Sequence, residues 1–276
     1  MLYGLPLVPH ALSAWITSLS DRLILAQYVS LSAIGVYSVG YTIAGLLSML
    51  ITSVNYAYTP FFMRSMRDYG DEGAALVGRV ATFVVAFDVL AFLVLAVCSR
   101  PLLALLAPAS YASANSVIRI VSLGLLFQGW YYIVANPIVY NKSAVKYLPL
   151  ASVVAAGVNL GLNFLLIPWV GGIGAALATV GAYAALAVVA TMVSRRVQPI
   201  PVETGKLIWL AFTGLAAFGV VVVGDHLVSD GVWSFALGGS ALLSYCVGLF
   251  AFGVIPLTAV RQAVERGRVR ARGPRG

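Results

Sequence analysis

Charged residues are scarce in this chain of 276 residues, where Asp, Glu, Lys and Arg together make up 9%. Soluble domains carry about 25% charged and about 45–50% apolar residues. Here 61% of the residues are hydrophobic and the mean hydropathy is +0.96. A soluble core could not bury this excess of apolar side chains. The composition therefore excludes a soluble domain and predicts an integral membrane protein.

Cysteines and enzyme motifs are also few or missing. Cys98 and Cys246 lie in apolar segments without a CxxC or histidine partner at metal spacing, so we interpret both as small hydrophobes and expect no metal. The sequence has no HExxH, GxSxG, P-loop or DxD motif. Its loops are too short and too poor in acids for a membrane transferase. We therefore expect a protein that is not an enzyme and uses no cofactor.

Eight segments are long and apolar enough to cross a bilayer, which takes about 20 residues. Backbone groups in lipid must be satisfied within the segment, so each is predicted to be a helix and the fold to be all-α. Pro60 is expected to end the second span, because proline interrupts helical hydrogen bonding. The predicted spans are residues 5–27, 33–59, 77–98, 113–140, 147–168, 171–193, 206–224 and 232–256.

The distribution of basic residues predicts the orientation. The chain has 17 Lys and Arg against 9 Asp and Glu, a net charge of +8. With the N-terminus in the cytoplasm, all basic residues except Arg22, Arg100 and Arg119 fall in inner loops or in the tail. This bias follows the positive-inside rule. We expect both termini in the cytoplasm and no nucleic-acid partner. The basic tail is either a solvated segment that sets the topology or a segment that contacts anionic lipid.

Polar side chains recur at three- and four-residue spacing in the early spans, which places them on one face of each helix. Such faces line a hydrophilic cavity or form interhelical hydrogen bonds worth about 0.6 kcal/mol each. Both interpretations stay open, and we predict that His10, Thr17, Asn55 and Asn136 line one cavity. Spans six to eight lack such faces. The stripes are His10, Ser13, Thr17 and Ser20/Asp21; Ser38, Tyr41, Ser48, Thr52, Asn55 and Thr59; Gln128, Tyr132, Asn136 and Tyr140; and Ser152, Asn159 and Asn163.

Three charged residues inside spans have both a structural and a functional interpretation. Asp21 and Arg22, near the outer end of the first span, could bind substrate or pair with other groups. Asp88 lies midway through the third span, where a lone carboxylate is costly unless protonated or paired. It is a candidate ion-coupling residue or a protonated structural acid. Gly157 and Gly161 form a GxxxG pattern that predicts close helix packing.

The chain resembles the second half of the polysaccharide (O-antigen) flippases, within the multidrug/oligosaccharidyl-lipid/polysaccharide exporter superfamily. The resemblance lies in LPLVPHALSAWITSLSDRLILAQYVSLSAIGVYSVGY at 5–41, PASYASANSVIRIVSLGLLFQGWYY at 108–132 and VNLGLNFLLIPWVGGIGAALATV at 158–180. It implies the C-terminal six-helix lobe of a MATE-like exporter over 1–193. Two additional transmembrane helices over 194–256 and a basic cytoplasmic tail over 257–276 would follow.

The resemblance also implies a function. Such flippases move a polyprenyl-diphosphate-linked oligosaccharide across the cytoplasmic membrane for polysaccharide or lipopolysaccharide biosynthesis, often driven by an ion gradient. Full members have 12 to 14 spans, so we expect a fragment, or one half that needs a separate first lobe or a second copy. Half of a multidrug/cation antiporter and a non-transporting assembly subunit are the alternatives. The implied substrate-cavity residues are His10, Thr17, Asp21, Arg22, Asn55, Arg119 and Asn136.

Overall fold

A computed structural model describes residues 20–227 and 231–254 of the chain, and nearly all of these are helical. Two one-turn 3-10 helices, Ala109–Tyr111 and Val145–Tyr147, lie before and after the helix Ala114–Tyr140. The described residues contain no strand, and the all-α prediction is confirmed. The helices are α1 (described over 20–28), α2 (Leu31–Leu106), α3 (Ala114–Tyr140), α4 (Leu148–Val197), α5 (Thr204–Leu227) and α6 (Gly231–Ala251).

Helices α2 to α6 are long and apolar enough to cross a membrane. Since about 20 residues cross the hydrocarbon core, α2 with 76 residues and α4 with 50 each exceed one crossing. Backbone breaks at Gly70 and Gly171 divide α2 and α4 into two segments each, giving seven apolar segments among the described residues. The predicted first span lies mostly outside these residues, so the count of eight stays a prediction.

The chain reverses direction at both glycine breaks in the same way. Gly70 has φ 50° and ψ −121°, and Gly171 has φ 55° and ψ −130°, a region that favours glycine. In both cases the glycine three residues after the break lies against the backbone of the residue eight positions before that glycine. A Cβ on Gly73 would clash with the Ser65 carbonyl, and one on Gly174 would lie 2.7 Å from the Leu166 carbonyl. Residues eight apart in a straight helix are about 12 Å apart, so each break is a tight helical hairpin.

Local chemistry sets several helix ends, but one predicted end is wrong. The Ser30 hydroxyl accepts a hydrogen bond from the Ala33 amide (3.3 Å) and caps α2. Pro149 lies in the first turn of α4, where its missing N–H costs nothing. Pro60 does not end a helix; α2 continues through it to the break at Gly70. A proline can lie inside a membrane helix because the backbone carbonyl that loses its N–H partner can bond to groups of neighbouring helices or to nearby hydroxyls.

The helices pack around several apolar cores, and the two predicted additional helices are part of the bundle. Phe92 of α2, Leu210 of α5 and Tyr245 of α6 share one buried cluster. The close packing predicted at Gly157 and Gly161 is not found among the described residues, where a Cβ at either position would meet nothing within 4 Å. Large apolar side chains instead cover much of the outer surface, as expected for a bundle in lipid.

Candidate functional site

The polar face of α2 forms one wall of an open groove of about 440 Å³. Side chains of α3 and α4 complete it. Three of the polar stripe positions predicted along the second span, Tyr41, Ser48 and Thr52, line this groove. None of the described lining residues is charged. They are Tyr41, Gly45, Ser48, Met49, Thr52, Ser53 and Tyr56 of α2, Val121 and Leu125 of α3, and Tyr183 of α4.

The chemistry of the groove suits a neutral polar ligand. Hydroxyl groups both donate and accept hydrogen bonds, and tyrosines add flat apolar faces with a polar tip. Tyr56 is 74% exposed, so its ring is available to a ligand. From Tyr41 to Tyr56 the groove extends about 22 Å at 1.5 Å per residue, most of the roughly 30 Å hydrocarbon core.

Two of the predicted cavity residues, Asn55 of α2 and Asn136 of α3, contact each other. The Asn136 amide donates to Asn55 Oδ1 at 3.4 Å and to the Tyr132 carbonyl at 2.8 Å. Ser48 donates to Gln128 Oε1 at 3.0 Å across the same interface. The stripes therefore provide interhelical hydrogen bonds as well as a groove wall. His10 and Thr17, the other two residues of that prediction, lie outside the described residues.

Asp21 lies in a buried polar network between α1, α2 and α4. Its carboxylate accepts hydrogen bonds from Tyr37 Oη (2.6 Å), Asn163 Nδ2 (2.7 Å) and Thr179 Oγ1 (3.3 Å). Asn159 Oδ1 also accepts from Ser20 and from Asn163, each at 3.0 Å. Asp21 is 1% exposed, so it does not line the open groove.

This network contains the oxygen donors that a hard cation takes. Carboxylate, amide and hydroxyl oxygens suit such ions, and Asn163 Oδ1 has no hydrogen-bond partner among the described residues. Within residues 20–227 and 231–254, no basic side chain forms an ion pair with Asp21. One carboxylate balances one positive charge, so the set suits a monovalent cation or a proton. Among the described residues, no three or more His, Cys, Asp or Glu side chains are grouped so that they could hold a metal ion.

Arg22, the residue after Asp21, also contacts α2. Its Nε donates to Ser38 Oγ at 3.3 Å, and its guanidinium lies 5.5 Å from the centre of the Tyr41 ring. Tyr41 is a lining residue of the groove. The half-buried Arg22 therefore places a positive charge at one end of an uncharged groove.

Arg119 belongs to a different cluster, at the end of the bundle where α2, α3, α5 and α6 meet. It forms an ion pair with Asp225 at 2.5 Å and donates to the Ala96 carbonyl. Arg100 also pairs with Asp225, at 3.1 Å, and Ser234 donates to the same carboxylate. Arg119 and Asp225 are both buried. The structure thus assigns Arg119 to a contact between helices, away from the groove.

Asp88 lines a separate apolar crevice between α2, α3 and α5. It is 4% exposed, and its Oδ1 has no hydrogen-bond partner in the described part of the chain. Its Oδ2 lies where Gly129 leaves room, since a Cβ there would be 2.6 Å away. The sequence places Asp88 in an apolar stretch, and the residues that line the crevice around it are apolar as well.

Sequence reasoning missed several partners in these clusters. Thr179 stands alone as a polar residue in the GGIGAALATVGAYAAL run, and that isolation was the available signal. Asp225 lies between the predicted spans 206–224 and 232–256, on the same predicted side of the membrane as Arg100 and Arg119, so charge balance is the signal that could pair them. Nothing in the spacing around Tyr183 or Tyr56 indicated a groove.

The chain is similar to known proteins in part of its sequence and in its fold. Residues 1–114 match the family model described as polysaccharide biosynthesis protein. The solved structure of the lipid II flippase MurJ in an inward closed conformation is similar, with a TM-score of 0.63 and 15% sequence identity. The similarity covers 85% of this chain and 50% of that chain, so this chain spans about half of its length. No curated protein matches the chain.

These findings confirm the predicted resemblance to polysaccharide flippases and give the chain a MurJ-like fold. The protein is a multi-pass helical membrane protein. The matched residues include α1 and α2, and hence Asp21, Arg22 and the α2 wall of the groove.

Proposed function

We propose that this chain is one half of a flippase that moves a polyprenyl-diphosphate-linked oligosaccharide across the cytoplasmic membrane. The observation that carries the proposal is the uncharged, hydroxyl-rich groove whose α2 wall lies within the residues that match the polysaccharide biosynthesis family. Its likeness in fold to a lipid II flippase supports the same class of activity. The chain then acts in transport and not as an enzyme.

In this proposal the groove binds the sugars of the substrate and Arg22 binds its diphosphate. Sugar rings are neutral and rich in hydroxyls, so they match the hydroxyls of Ser48, Thr52 and Ser53 and the face of Tyr56. The diphosphate carries the charge, and a guanidinium binds phosphate oxygens in a bidentate manner. Arg22 at the Tyr41 end of the groove supplies that group.

A second half completes the transporter in this proposal. The groove is open on one side, and residues 1–193 correspond to one lobe, followed by two helices over 194–256 and a basic tail over 257–276. A separate first lobe or a second copy of this chain then closes the cavity, to which His10, Thr17, Asn55 and Asn136 also contribute. Both termini lie in the cytoplasm, in keeping with the charge bias.

Coupling to an ion gradient is assigned to Asp21. Asp88 was the candidate from the sequence, but the described residues around it supply no oxygen ligands beyond its own carboxyl group. Asp21 is surrounded by amide and hydroxyl groups, and Asn163 Oδ1 is unpartnered beside it. A monovalent cation or a proton bound there links α1 to both segments of α4.

Deletion of the gene in its source organism tests the proposal. We expect loss of surface polysaccharide with unchanged resistance to cationic drugs, and recovery when the intact chain is supplied. The reverse result, normal polysaccharide with increased drug sensitivity, would favour half of a multidrug/cation antiporter. No change in either would favour a non-transporting assembly subunit.

A further inference from the structure

A second cavity lies on the α5 side of the bundle, apart from the groove. It has a volume of about 310 Å³, within the range of small-molecule pockets. Side chains of α2, α3 and α5 line it, and it shares no lining residue with the groove. Almost all of its lining is apolar, including the rings of Phe92, Phe127 and Trp130. The exception is the carboxyl group of Asp88.

Two polar groups of the surrounding residues have partners other than Asp88: Trp130 lines the crevice, and Tyr245 contacts the backbone two residues before Asp88. The indole N–H of Trp130 donates to Thr191 Oγ1 at 2.9 Å, and Tyr245 Oη donates to the Ala86 carbonyl at 3.2 Å. No basic side chain in the described ranges pairs with Asp88. A buried carboxyl group without a partner is costly and calls for an explanation.

We propose that this crevice binds a lipophilic amine, with its nitrogen on Asp88 and its apolar body between the aromatic rings. Aromatic faces attract cations, and the carboxylate supplies the one complementary charge. A neutral amine that enters from the bilayer takes the proton of the Asp88 carboxylic acid. The O–H bond breaks, an N–H bond forms, and an ammonium–carboxylate ion pair remains. This site is independent of the proposed flippase activity.

Equilibrium binding of radiolabelled octylamine to the full chain in phosphatidylcholine nanodiscs tests the proposal, with 1-octanol as the neutral probe of equal chain length. We expect saturable octylamine binding above that of empty nanodiscs, and about a tenfold or greater loss in Asp88→Asn. Asp68→Asn, which changes an exposed carboxylate, should bind like the wild type. Octanol binding should not respond to Asp88→Asn.

A second variant and a second readout keep the test decisive if Asp88→Asn does not fold. Gly129→Ala introduces a Cβ where Asp88 Oδ2 lies and should also weaken octylamine binding. In the wild type, octylamine should raise the unfolding temperature and octanol should not. The proposal is overturned if octylamine does not saturate, if Asp88→Asn binds it unchanged, or if octanol shows the same dependence on Asp88.

Discussion

At the scale of single residues, the buried charges of this bundle differ in how they are balanced. Asp225 is neutralised by Arg100 and Arg119. Asp21 has three hydrogen-bond donors but no cation among the described residues. Asp88 Oδ1 has neither. Since a charge buried in lipid is costly unless paired, these differences separate a structural ion pair from two sites suited to ligands.

Replacing Asp21 tests its network directly. Asp21→Ala leaves the buried Tyr37 hydroxyl and one N–H of Asn163 without their acceptor, whereas Thr179 can still donate to the Ala175 carbonyl. Each lost acceptor costs about 1–3 kcal/mol. We expect a clear fall in the thermal unfolding temperature of the purified protein. Asp68→Ala is the matched control, because Asp68 pairs with Arg67 at the exposed surface, where such pairs contribute about 0–1 kcal/mol. Equal shifts in the two variants would contradict the network.

Tyr56 tests the groove. Loss of one aromatic contact costs roughly 0.5–1.5 kcal/mol, so Tyr56→Ala should reduce transport by about two- to tenfold. The measurement is the amount of surface polysaccharide restored in a deletion strain at matched protein levels. Tyr69→Ala is the control, since Tyr69 is also exposed but lies beside the Gly70 reversal, outside the groove. If Tyr69→Ala lowers the restored polysaccharide as much as Tyr56→Ala does, the groove does not bind the substrate.

At the scale of helices, the two glycine reversals determine which segments become neighbours. The break at Gly171 brings Thr179 back to Asn163 and so completes the shell around Asp21. The break at Gly70 returns the chain so that Tyr58 Oη reaches the Val77 carbonyl at 3.3 Å. Both hairpins have glycine at the break and again three residues later.

Alanine substitutions separate the tight glycines from the open ones. Gly174→Ala forces a Cβ to within 2.7 Å of the Leu166 backbone, which cannot move away as a side chain could. We expect a destabilisation of about 1–3 kcal/mol, the usual cost of overpacking. Gly157→Ala meets nothing within 4 Å and should be neutral, or stabilising by up to about 1 kcal/mol. Unfolding temperatures measured in the same detergent decide, and the opposite order would refute the hairpin geometry.

The buried ion pair joins α5 to the rest of the bundle. Arg119→Met leaves Asp225 with Arg100, which is half exposed, and breaking a buried pair typically costs about 3–5 kcal/mol. Arg67→Met removes an exposed pair and serves as the control. We expect a large drop in unfolding temperature for Arg119→Met alone. A drop no larger than that of Arg67→Met would show that Asp225 does not hold these helices together.

The sequence predicted single helices better than the contacts between them. The predicted span 113–140 agrees with α3, Ala114–Tyr140, because a mainly apolar stretch long enough to cross a bilayer lies between the polar ends at Ser113 and Asn141. The expected end at Pro60 was wrong, since helix continuation there depends on neighbouring helices. The stripe on the second span identified one groove wall, but the pairing of Asp21 with Thr179 joins residues 158 positions apart. Such contacts follow from packing and not from local periodicity.

At the scale of the whole molecule, the chain spans about half of the flippase structure that it resembles. Its groove is open, and large apolar side chains such as Trp169 and Phe212 cover its outside. These features fit a lobe in lipid that works against another lobe. From the positive-inside bias we predict that the Gly70 reversal lies on the inner side and the Gly171 reversal on the outer side.

The orientation is tested by a reporter fused after Gly276. A cytoplasmic C-terminus predicts that a fusion to alkaline phosphatase, which folds only outside the cytoplasm, is inactive, and that a fluorescent protein at the same position is bright. Fusions after Trp169, at the predicted outer reversal, provide the control and should give the opposite pattern. An active phosphatase after Gly276 would overturn the topology.

The most direct test of flippase activity measures on which leaflet the lipid-linked oligosaccharide lies. Spheroplasts from cells with and without this chain are treated with a membrane-impermeant lectin or glycosidase that recognises the oligosaccharide. We expect the lectin or glycosidase to reach the polyprenyl-linked sugar in cells that carry the chain. In the deletion strain the same lipid should accumulate in a protected form, and the intact chain should restore access. Equal access with and without the chain would contradict the proposal that it takes part in flipping.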